Sequence, residues 1–131
     1  MKAFLLVTAI GEGGTGIGLL LLPAVVLSLL LGTQAPATDI VVVSRVAGSA
    51  LLAIGLMSAV ASRDAGSPAL LGVLAGILLY DVVVAGLLGY AGAVLGLAGP
   101  ALWPAVVLHV VLAVWCVVCL QRVVKREVAT A

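Results

Sequence analysis

Four apolar stretches, each long enough to cross a bilayer, take up nearly all of this chain and leave it few folds. A hydrocarbon core about 30 Å thick needs roughly 20 apolar residues per helix. Runs of that length lie at residues 3–22, 40–61, 69–92 and 101–120. Charged types make up 8% of the 131 residues and hydrophobic types 65%, with mean hydropathy +1.44. Soluble domains carry about 25% charged residues, so this chain cannot cover itself with polar surface. That excludes a soluble enzyme, a disordered tail and a nucleic-acid binder; a net charge of +1 makes no phosphate-binding field. The expected fold is an all-α integral membrane protein, a four-transmembrane-helix bundle forming one domain over residues 1–131.

The first apolar stretch, residues 3–31, would be about 43 Å long as one helix and would need a tilt of about 45° to fit. A break is therefore expected, at Gly11-Glu12-Gly13-Gly14-Thr15-Gly16 or at Pro23. Proline suits the first turn of a new helix and disrupts an old one. The favoured reading is a span over residues 3–22 and a short interfacial helix over 23–31. Residues 121–131 form a short cytoplasmic tail, too short to fold alone. Residues 1–10 have the look of a signal-peptide start but lack a cleavage pattern.

Lys and Arg placement sets the orientation. Four spans put both termini and the turn at residues 62–68 on one side. That side holds Lys2, Arg63, Arg122, Lys125 and Arg126; the sixth cation, Arg45, lies inside a span. Both ends are expected in the cytoplasm. The chain has no Asn, hence no N-glycosylation acceptor, and its composition fits a bacterial inner-membrane protein from a GC-rich genome.

Glu12, Arg45, Asp81 and His109 fall within the spans. A charged side chain facing lipid at a helix centre costs about 2.5 kcal/mol or more, so these groups must turn inward, pair, or line water. Projected at 100° per residue, Thr8, Glu12 and Thr15 share a stripe on the first helix. Arg45, Gly48, Ser49 and Gly55 share a sector of the second. Asp81 lies with Leu74, Ala85 and Gly92 on the third, and His109 with Cys116 on the fourth. The simplest bundle turns all four ionisable groups inward as a site for a proton, an ion or a polar headgroup. A static ion pair of Arg45 with Asp81 or Glu12 fits the same residues, as does an Arg45 that snorkels outward.

Gly72, Gly76 and Tyr80 share a line roughly opposite Asp81. Gly72-x3-Gly76 lets two helices approach closely, which suggests contact with a second copy or another membrane subunit, or ordinary packing within the bundle. The glycine-rich segment around Glu12 lacks the lysine and preceding strand of a phosphate loop. If the helix broke there, its freed backbone groups could help build an ion site. Cys116 and Cys119 form a CxxC within an apolar run, where burial favours inert filler.

Pro23 late in the first stretch, Leu30-Leu31-Gly32, and Arg45-Val46-Ala47-Gly48 early in the second span give a layout that resembles the DoxX-like superfamily of small bacterial four-helix membrane proteins. The resemblance covers most of the chain in organisation. It implies that some relatives are subunits of quinone-linked sulfur oxidoreductases, and it carries over no catalytic residue. The expectations are thus a homo-oligomer or a component of a larger membrane complex in the lipid bilayer. No catalytic residue, cofactor, metal or nucleic-acid partner is indicated. The functional expectation is binding or movement of a proton, ion or small amphiphile, with an accessory-subunit role as the alternative.

Overall fold

A computed structural model describes residues 1–64 and 67–130, with side chains described up to Lys125, so the Arg126 side chain lies outside it. The described chain is helical, in the order α1 (Lys2–Leu21), α2 (Pro23–Leu31), α3 (Thr38–Ala61), α4 (Pro68–Ala93) and α5 (Leu102–Thr130). Four helices are long and apolar enough to cross a membrane: α1, α3, α4 and the Leu102–Lys125 part of α5. α1 ends at Leu22, whose φ of −132° and ψ of 53° leave the helical region, and Pro23 opens α2. Gly32, at φ +75°, closes α2 in the left-handed conformation that glycine adopts without strain.

The glycine-rich segment of α1 does not break the helix, contrary to one of the two options the sequence left open. Its use lies in packing. α1 and α3 run antiparallel in backbone contact: a Cβ added at Gly16 would sit 2.7 Å from the Gly48 carbonyl oxygen and the Leu52 nitrogen. One added at Gly48 would meet the Gly16 carbonyl oxygen at 2.8 Å, and one at Gly55 the Gly13 nitrogen at 2.8 Å. Small residues at such a seam let two apolar helices approach backbone to backbone. Ser44, Gly48, Gly55 and Ser58 are the buried stripe of α3.

α4 and α5 form the second antiparallel pair. At its end away from the termini Gly92 lies under Leu102 and Trp103. At the end near the termini the Cys116 thiol donates to the Leu74 carbonyl at 3.2 Å. The two pairs meet through a dry core of Phe4, Leu5, Leu70, Leu74, Ile77, Leu112, Cys116 and Cys119. The Phe4 ring packs edge-on to Trp115 at 5.7 Å. All of this filling lies in the half of the bundle nearer the termini. α2 is tied over the other half, where the Ala101 amide donates to the Leu29 carbonyl at 2.8 Å.

The segment 121–130, expected as a tail too short to fold alone, continues α5 without interruption. It carries no Gly or Pro, so nothing local ends the helix once the preceding apolar turns have started it.

Candidate functional site

Where the dry core stops, four side chains from three helices meet. α1 supplies Glu12, α4 supplies Tyr80 and Asp81, and α5 supplies His109. His109 Nδ1 lies 2.9 Å from Asp81 Oδ1. The Tyr80 hydroxyl donates to Glu12 Oε2 at 2.9 Å, and its ring stands edge-on to the His109 imidazole with centroids 5.6 Å apart. One ligating atom from each of Glu12, Asp81 and His109 lies within 4.8 Å of the others. Asp81 is wholly buried, and Glu12 and His109 are 5% and 8% exposed.

The antiparallel register of α4 and α5 produces the Asp81–His109 contact, because it is fixed on either side by Gly92 against Leu102 and by Cys116 against Leu74. Asp81 then has one oxygen against His109 and the other, Oδ2, buried without a hydrogen-bond partner among the described residues. The Thr8 hydroxyl, one turn before Glu12 and 1% exposed, is likewise unpartnered. The hydroxyls of Ser44, Ser49 and Ser62, by contrast, bond to carbonyls of their own helix. Leaving a buried polar group unsatisfied costs about 1–3 kcal/mol; the Ser58 hydroxyl on α3 is a third such group, and Thr8 and Asp81 are the two that lie at the cluster.

A cavity of about 430 Å³ opens beside this cluster, between the α1–α3 and α4–α5 pairs. Thr8, Glu12, Thr15, Tyr80 and His109 give it a polar side. Most of the remaining wall is aliphatic, with Leu51, Val84, Leu88 and Leu108 among it. A volume in the range of about 300–1,000 Å³, mostly apolar with a few convergent polar groups, is the usual form of a small-molecule site.

Of the groups expected to turn inward, Glu12, Asp81 and His109 come together and Arg45 does not. Arg45 is exposed on α3 and has no carboxylate partner among the described residues. The reason is helical phase: Arg45 lies about 100° around α3 from the centre of the buried Ser44–Gly48–Gly55–Ser58 stripe. α1 sits so close on that stripe that a long side chain has no room. The cluster therefore lacks its expected guanidinium. Two carboxyl groups face one imidazole, which with both ionised would give −2 with His109 neutral and −1 with it protonated.

Tyr80 is the residue the sequence placed elsewhere. Grouped with Gly72 and Gly76 on the side away from Asp81, it turns its hydroxyl to Glu12 instead. Its neighbour Asp81 and the reach of a phenol were the only signals for this. Gly72 and Gly76 remain on an exposed face, where a Cβ at either would meet nothing within 4 Å. Cys116 and Cys119 are buried free thiols.

No family model, curated protein or solved structure matches the chain.

Proposed function

We propose that this chain is a multi-pass protein of a bacterial inner membrane, termini in the cytoplasm, whose Glu12–Tyr80–Asp81–His109 cluster binds and moves a proton, an ion or a small amphiphile. One observation carries the reading: Glu12, Asp81 and His109 converge within 4.8 Å, buried, beside a cavity of about 430 Å³. A static ion pair needs one acid and one base. Here a second carboxylate is drawn in and neutralised by no residue of the cluster, so a proton or a cation must complete the site. An intramembrane ionisable group that faces a cavity is by default read as part of a substrate, ion or proton pathway.

The test is uptake in vesicles reconstituted with the purified chain. Glu12→Gln and Asp81→Asn keep side-chain shape and remove the charge. Each is expected to lower proton or ligand uptake at least tenfold relative to the parent protein. Unchanged uptake in both variants rejects the proposal.

The exposed Gly72–Gly76 face of α4 supports a second reading, an accessory subunit that docks against another helix. Kinship with the DoxX-like superfamily, proposed on layout alone, would fit that role. Co-purification of another chain from native membranes, lost on Gly76→Leu, would support it. A monodisperse homo-oligomer with no other chain would count against it.

A further inference from the structure

The cavity has one charged end and no charged residue elsewhere in its wall. Among the groups lining it or joined to them by hydrogen bond, α1 contributes Glu12, α4 contributes Tyr80 and Asp81, and α5 contributes His109. α2 and α3 contribute only Leu30, Ala47 and Leu51. With both acids ionised, that end stays negative whichever form the imidazole takes. An anionic headgroup would add a third negative charge in a low-dielectric site, and a neutral alcohol would leave the excess in place. A cationic headgroup cancels one unit of it. The Thr8 hydroxyl, buried and unpartnered in the cavity wall, adds a polar contact for that headgroup.

A route for such a ligand is also visible. A second hollow of about 460 Å³ lies between α1, α2 and the start of α5, and it shares Thr15, Leu30, Ala105 and Leu108 with the first. On the side of the termini the way is filled by Phe4, Leu74, Ile77 and Cys116. One open direction is therefore sideways, past α2 and Pro104, into the region that lipid would occupy.

Resting on the proposed function above, we propose that the ligand is an amphiphile with a single cationic amine or quaternary ammonium headgroup, taken from the lipid phase past the Thr15–Leu30–Ala105–Leu108 wall and held at Glu12. Binding then displaces a proton where one neutralises the empty site. The cation enters, one proton leaves, and the net charge of the cluster is unchanged.

The test compares three probes built on ten-carbon chains, with the whole chain in lipid nanodiscs and empty nanodiscs subtracted. They are decyltrimethylammonium, decanol and decanoate, each radiolabelled. Decyltrimethylammonium is expected to bind at least tenfold more tightly than either of the others. It should release close to one proton per cation, read with a pH indicator in weak buffer. Glu12→Gln should abolish both the preference and the release. Leu108→Trp, which narrows the shared wall, should slow binding at least tenfold with the charged groups intact. Equal or tighter binding of decanol or decanoate overturns the proposal. So does specific binding of none of the three by wild-type protein. If either result accompanies proton uptake that still depends on Glu12 and Asp81, the ligand class fails and the underlying site stands. If that uptake is also independent of both residues, the site itself fails.

Discussion

Gly48→Leu should yield no folded, monodisperse protein in detergent, while Gly72→Leu should purify as the parent does. The difference follows from what stands where each new side chain must go. At Gly48 even a Cβ would lie 2.8 Å from the Gly16 carbonyl oxygen and from Leu19 Cβ. At Gly72 a Cβ meets nothing within 4 Å. Overpacking a well-filled site costs about 1–3 kcal/mol when side chains can shift. Here the obstacle is backbone, so α1 and α3 must separate, and with them the Gly16–Leu52 and Gly13–Gly55 contacts are lost. In lipid no hydrophobic drive restores the association. Size-exclusion profiles and thermal melts of the two variants read the outcome. Equal behaviour of the pair would mean that α1 and α3 do not pack through glycine.

The second large effect concerns the buried pair. His109→Leu leaves Asp81 without a partner on either oxygen, and breaking a buried pair in this way costs about 3–5 kcal/mol. Asp81→Leu should cost less, because an imidazole can remain neutral. The double variant Asp81→Leu/His109→Leu should recover much of the loss, since replacing a whole buried pair with apolar side chains is often near neutral. Proton or ligand uptake should not recover with it. Thermal stability measured over the full cycle, alongside uptake, separates structural from functional roles. Restored stability with restored uptake would make the pair a packing element only. Additive losses in stability would show that the two residues do not act together.

Much of this architecture is legible in the residues, for physical reasons that differ from place to place. Apolar run length finds the four long helices because lipid thickness is a hard constraint. Pro23 separates α1 from α2 because a ring at the first helical turn satisfies a position that would disrupt an interior. Glu12, Asp81 and His109 are found because charges in apolar runs are scarce. Arg45 is misplaced by the same reasoning. Counting charges does not reveal that α3 gives its glycine face to α1, and a phase difference of about 100° is enough to turn a side chain outward. The role of Gly13, Gly16, Gly48 and Gly55 is hidden for a related reason. With 16 glycines in the chain, spacing alone does not tell a contact from an open face: Ser44-x3-Gly48 and Gly72-x3-Gly76 both match a small-xxx-small pattern, and the first is buried while the second is exposed. Tyr80 joins the site through the reach of its side chain, which a projection of Cα positions ignores. The cavity is the least legible feature of all, since it arises from two tight pairs meeting only over half their length.

The charge state of the two buried carboxyls bears on the account most directly. Infrared difference spectra of the reconstituted protein at neutral pH, with and without decyltrimethylammonium, would read it through the carboxylic acid C=O stretch. The account predicts an un-ionised carboxyl band in ligand-free protein, absent from the Glu12→Gln/Asp81→Asn double variant and exchanged for a carboxylate band when the cation binds. Two ionised carboxylates with no proton and no cation accompanying them would contradict it.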